Sequence, residues 1–102
     1  MIANIIEKLK TVPKLPGVYQ FFNSNNDIIY IGKAKNLRNR VRTYFSAGSS
    51  QSPKNKTMVK NIADLDWIVV RSEVEALMTE ANLIKKYQPR YNIDLRDDKT
   101  YP

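Results

Sequence analysis

The sequence contains no cysteine and no histidine. The first absence removes any disulfide framework and any thiolate metal site, which excludes a zinc finger. The second says more about chemistry. Any hydrolytic reaction must run without the commonest general base, so the catalytic candidates narrow to Tyr, Lys, Asp, Glu and Arg, with a metal ion as helper. No apolar run approaches the roughly 20 residues of a membrane-spanning helix. Glu7, Lys8 and Lys10 interrupt the apolar residues near the start, so no signal peptide is read there. A cytoplasmic location, with no membrane partner, is the expectation.

What is present is ordinary except for charge. The 102 residues suit one domain spanning 1–102, and 42% hydrophobic with 26% charged residues allows a modest core without wholesale disorder. Lys and Arg number 17 against 10 acidic residues, a net +7. That excess points to an anionic partner, of which nucleic acid is the commonest.

Residues 2–10 place Ile2, Ile5, Ile6 and Leu9 at helical spacing, and Pro13 stops that helix. Gly17–Phe22 and Asp27–Ile31 read as strands around the polar turn 23–26, a β-hairpin. Alternation puts Tyr19 and Phe21 on one face of the first strand, and Ile28 and Tyr30 on one face of the second. Leu37, Val41, Tyr44 and Phe45 give a helix over 36–45. The polar stretch 46–56 reads as a mobile loop. Met58, Ile62 and Leu65 suggest a short helix, and Trp67–Val70 a third strand. Ser72 to Glu75 forms a capping box before a helix whose apolar stripe is Val74, Leu77, Met78, Ala81 and Ile84. Pro89 ends that helix, and no clear period follows Tyr91. This order of elements implies a small α/β sandwich with a short antiparallel sheet. The chain closes on no helix or strand, as a piece of a longer protein would.

The densest chemistry lies between Gly32 and Arg42, where Lys33, Lys35, Arg38, Arg40 and Arg42 occur without an acidic residue. Such a run is usually a solvated helix face, yet it also suits phosphate oxygens. Arg38 and Arg42 share one flank of the helix. Arg40 instead lies between Leu37 and Tyr44 at the edge of the apolar stripe, where it can be aimed at a phosphate. Tyr19 and Tyr30 are by themselves ordinary packing residues. Either acts as a base only if cations lower its phenol from ~10, and Lys33 and Arg40 are the cations placed to do so. Glu73 and Glu75 serve the helix start, whereas Glu80 has no such duty. A single carboxylate beside a basic site suits one Mg²⁺ or Mn²⁺, or else a salt bridge.

Gly17-Val18-Tyr19 followed after ten residues by Tyr30-Ile31-Gly32 resembles the paired motif of the GIY-YIG nucleases. Leu15 to Tyr19, Tyr30 to Leu37, Glu80 to Lys85 and Tyr87 to Asn92 resemble in order the N-terminal domains of the UvrC family, which serves bacterial nucleotide excision repair. The resemblance runs from about residue 12 onward, with Val18 as its one conservative departure. It implies a three-stranded antiparallel sheet flanked by helices and a DNA phosphodiester hydrolase using one divalent metal, Mg²⁺ or Mn²⁺. It carries catalytic roles to Tyr19, Tyr30, Lys33, Arg40, Tyr44 and Asn92, and the metal to Glu80. Lys35, Arg38 and Arg42 are read as DNA-binding. In that family the domain makes the cut 3′ to a lesion in damaged double-stranded DNA, and the longer protein meets UvrB through parts outside this domain. Tyr30 leads Tyr19 as candidate base. A non-catalytic DNA-binding module and a stand-alone structure-specific GIY-YIG nuclease are the alternatives.

Overall fold

The computed structural model describes residues 2–46 and 53–97, with side chains for 5–46 and 53–93. The elements are α1 (Ile2–Thr11), β1 (Gly17–Phe22), β2 (Ile28–Ala34), α2 (Leu37–Phe45), α3 (Pro53–Asn61), β3 (Asp64–Val69), α4 (Glu73–Tyr87) and α5 (Arg90–Asp97). The three strands pair antiparallel in the order β2-β1-β3, so the motif-bearing strand β2 is an edge.

Alternation along β1 feeds two cores. Tyr19 and Phe21 face a cluster with Ile5 of α1, Leu37, Val41 and Tyr44 of α2, Met58 of α3 and Tyr91 of α5. Val18 faces the other way, where Ile31 and Val70 meet Ala76 and, at the margin, Leu83 and Ile84 of α4. The sheet is therefore sandwiched, with α4 alone on the second face among these clusters. Two backbone contacts fix the start of α2. Its Leu37 and Arg38 amides donate to the Leu15 and Pro13 carbonyls, and Asn36 caps the Asn39 amide. These satisfy donors that a helix start leaves open, and they tie α2 to the segment leading into β1.

Several expectations change. A bulge lies between Phe21 and Phe22, pairing Phe21 with Tyr30 but Phe22 with Ile28. The extra residue, Ile29, shifts the alternation, so Tyr30 joins the first core while Ile28 packs against the second. β2 extends to Ala34 and carries Lys33 within the strand. Residues 53–56 are helical, not loop, because Pro53 suits a first helical turn. The rest of the expected loop, 47–52, lies outside the described residues. Leu65 belongs to β3 rather than to a helix. Near the end, α5 forms where no period was read.

The largest change concerns α4. Of the expected core stripe, Val74, Leu77 and Met78 are 67%, 52% and 60% exposed and Ala81 is exposed as well, while Ile84 does pack inward. The covered side runs through Ala76, Leu83 and Ile84. Glu80 falls on that side, four residues after Ala76 and four before Ile84, and is half-buried. No described helix is long and apolar enough to cross a membrane.

Candidate active site

Three tyrosines meet on the first face of the sheet. Tyr19 pairs across the hairpin with Gly32, and its ring lies over that glycine. A β-carbon at Gly32 would overlap the Tyr19 hydroxyl and ring, so only glycine leaves the space. Gly17 is equally confined: a β-carbon there would meet the Ile68 carbonyl and the Leu37 side chain. The motif glycines thus let the three strands and α2 close upon one another. The ring centroids of Tyr19, Tyr30 and Tyr44 form a triangle of 6.2, 5.9 and 6.3 Å. The Tyr19 and Tyr44 hydroxyls are hydrogen-bonded at 2.9 Å. Tyr19 is only 1% exposed, whereas Tyr30 is half-buried and solvent reaches it.

Arg40 completes the cluster as its helical position suggested. Its guanidinium carbon sits 5.7 Å from the centre of the Tyr44 ring. The neighbouring phenols, Tyr19 first, hold its charge more firmly than in water. The expected lowering of the tyrosine phenols does not occur in the chain itself. Burial pushes Tyr30 well above its usual value, and Tyr44 and Glu80 add to the rise. Burial does the same to Tyr19, reinforced by Tyr44 and Tyr30. Arg40 pulls both down but is outweighed, and Lys33 is not among the groups acting on either. A phenolate has a large desolvation cost, and one partly exposed guanidinium does not offset it.

Glu80 approaches this cluster from α4, close enough to Tyr30 for its charge to be felt there. Among the described residues no three His, Cys, Asp or Glu side chains gather in one place. A single hard carboxylate leaves most coordination positions to water and phosphate oxygens, a donor set that fits one Mg²⁺. A soft or tightly caged ion does not fit it.

The remaining sequence candidates separate. Asn92, on α5, joins the edge of β2: the Ile31 amide donates to Asn92 Oδ1 and Asn92 Nδ2 donates to the Ile31 carbonyl, both at 2.8 Å. It behaves as a short added strand beside the residue between Tyr30 and Gly32. Lys33 and Lys35 lie with Arg40 along a cleft between α2 and α4, where Lys35 pairs with Glu73 at 3.1 Å. Arg38 and Arg42 line a different groove, with Ile6, Leu9 and Lys10. Arg38 is committed there to structure, since Nε donates to the Val12 carbonyl at 2.7 Å and Nη2 to the Lys10 carbonyl at 3.3 Å. That clasp ties α2 to the end of α1, where positive charge suits exposed carbonyls. Sequence reasoning missed the steric duty of Gly17 and Gly32, although a glycine inside a strand is the signal for a close approach.

A family model described as a UvrC-like GIY-YIG domain matches residues 15–93. The UvrABC system protein C of Prosthecochloris aestuarii is 59% identical over 94% of this chain, and that of Clostridium beijerinckii 58% over 93%. The chain spans 16% and 15% of the length of those two relatives. A crystal structure of the GIY-YIG N-terminal endonuclease domain of UvrC from Thermotoga maritima, bound to magnesium as its catalytic divalent cation, is 45% identical. It superposes with a TM-score of 0.78 over 89% of this chain and 98% of its own. Point mutants of that domain, tyrosine to phenylalanine and asparagine to alanine, are also bound to the cation and match as closely.

Proposed function

This chain belongs to the UvrC-like GIY-YIG family of endonuclease domains, and on that footing we propose that it cuts one strand of DNA by metal-dependent hydrolysis of a phosphodiester. The observation that carries the proposal is the meeting of Tyr19, Tyr30 and Tyr44 with Arg40 and Glu80 at the edge of β2. A bare DNA-binding module has no need to set a carboxylate within electrostatic range of a half-buried phenol beside an arginine.

The residues divide the work by exposure. Tyr30, which solvent reaches, is the base that takes the proton of the attacking water. Tyr19 is too deeply buried to touch substrate, and it positions Tyr44 through the hydroxyl pair. Arg40 faces the phosphate and stabilises the charge that builds on it. Glu80 is the residue that would hold the divalent cation. When bound there, the cation supplies Lewis acidity toward the phosphate and cancels the carboxylate charge that helps keep Tyr30 protonated. Lys33, Lys35 and Arg42 meet the DNA backbone, while Arg38 and Asn92 hold α2 and β2 in place.

We further propose that the domain 1–102 acts within a longer UvrC-type protein, making the incision 3′ to a lesion in double-stranded DNA, in the cytoplasm and alongside UvrB. The test uses the full-length protein in the complete incision complex with Mg²⁺. Glu80→Ala and Tyr30→Phe should each slow the 3′ cut about a hundredfold or more while leaving damage-specific DNA binding in place. Full 3′ incision by both variants would reject the catalytic reading.

A further inference from the structure

Beside the tyrosine cluster, α2 and α4 leave a cleft of about 460 Å³. Its walls carry Lys33, Lys35, Asn39, Arg40 and Thr43, with Glu73 the lone carboxylate. Arg40 belongs to both places, since one side of it lies over the Tyr44 ring and it also lines the cleft. The volume exceeds what the reacting phosphate needs, and it falls in the range of a small-ligand site. Most of these side chains can donate hydrogen bonds, and phosphate oxygens accept them. Asn36, Ala34 and Ala76 line the rest, and the two small alanine side chains allow a sugar-phosphate backbone to come close.

Glu73 contradicts this pattern unless it is itself a stand-in. It sits at the first turn of α4 and reaches Lys35 at 3.1 Å, across the cleft mouth. Both side chains are largely exposed, at 65% and 84%, so the pair is weak and exchanges readily. We propose that the cleft seats a second backbone phosphate of the DNA strand, neighbouring the one that is cut. In that seat Lys35 exchanges Glu73 for the phosphate, and Asn39 contacts the same group. This rests on the endonuclease reading for the identity of the strand, but the seat itself requires no metal and no cleavage.

Binding of a fluorescein-labelled DNA duplex to this chain in EDTA, followed by anisotropy across a salt series, tests it separately from catalysis. Glu73→Gln should bind about threefold or more tighter, and the slope of log affinity against log salt should steepen by about one. Adding Lys35→Met to Glu73→Gln should erase both gains. Asn39→Asp places a carboxylate in the seat and should weaken binding at least tenfold. Glu75→Gln is the control: Glu75 lies two residues away on the same helix, bonds the Arg71 amide and does not line the cleft. An equal gain from Glu75→Gln would show that only net charge matters and would overturn the seat. So would a Glu73→Gln chain that binds like the parent. Failure of the parent protein to cut DNA with Mg²⁺, with these binding changes intact, would count against the endonuclease reading and not against the seat.

Discussion

The Tyr19 ring lies over the backbone of Gly32 on the neighbouring strand, so closely that a β-carbon there would overlap the phenol. Gly32→Ala must therefore move either the ring or the strand. Forcing one extra methyl into a packed site costs about 1–3 kcal/mol. A urea melt should show that loss. Because Tyr19 positions Tyr44, the single-turnover cutting rate should fall more steeply than DNA affinity. A Gly32→Ala chain that melts and cuts like the parent would show that the overlap is relieved at no cost.

Tyr19 and Tyr30 share a motif but differ in surroundings, and phenylalanine should separate them. Tyr19→Phe removes one member of the buried hydroxyl pair at 2.9 Å and leaves Tyr44 without that bond. The expected loss is about 1–2 kcal/mol of stability. Tyr30 also hydrogen-bonds Tyr44 but sits at a half-buried site that solvent reaches, so Tyr30→Phe should cost less stability than Tyr19→Phe while lowering the cutting rate about 10²–10⁴-fold. Thermal melts with single-turnover kinetics on both variants check this. The reverse pattern, a destabilised Tyr30→Phe and a slow but stable Tyr19→Phe, would exchange the two roles.

The upward shift of both phenols fixes the direction of pH effects. Below its folded value, each added pH unit raises the Tyr30 phenolate fraction about tenfold, so log rate should climb with a slope near one through neutral pH and beyond. Tyr30→Phe should flatten the profile. Stability moves the opposite way. An unfolded tyrosine ionises near ~10, while buried Tyr19 keeps its proton above that point. The folded state then binds more protons, so stability is full below about pH 10 and falls as pH rises past it. Denaturant melts between neutral and strongly alkaline pH should show that decline, and Tyr19→Phe should reduce it.

The hairpin, the N-cap at Ser72 and the place of Arg40 beside Tyr44 were legible because each follows from local rules: turn residues, a capping side chain, helical spacing. The inward face of α4 was not. Val74, Leu77 and Met78 are the more apolar residues yet stay exposed, and of the expected stripe Ile84 alone joins Ala76 and Leu83 against the sheet. Hydrophobicity tells which side of a helix is apolar, while tertiary packing decides which side is covered. That reversal also turns Glu80 from a flanking residue into one on the sheet-facing side. The bulge at Ile29 left no mark, since Ile28, Ile29 and Tyr30 read as an unbroken strand. Nor did charge alone show that Arg38 serves two carbonyls. The acidity of the tyrosines was misjudged because the sequence displays nearby cations but not the depth of burial that outweighs them.

Asn92 shows how a residue can matter to the site from outside it. As the edge strand, β2 has its outward amide and carbonyl at Ile31 satisfied by one side chain from α5. Asn92→Ala strips both bonds and leaves two backbone groups to find water, at a cost of about 1–3 kcal/mol. Asn92→Asp keeps an acceptor for the Ile31 amide but loses the donor to its carbonyl, so it should lie between alanine and the parent. Hydrogen exchange separates this role from direct catalysis. The Ile31 amide should lose protection in Asn92→Ala and keep more of it in Asn92→Asp, with cutting rates following the same order because Ile31 sits between Tyr30 and Gly32. If Asn92→Ala lost activity while Ile31 stayed fully protected, Asn92 would have to act on the substrate itself.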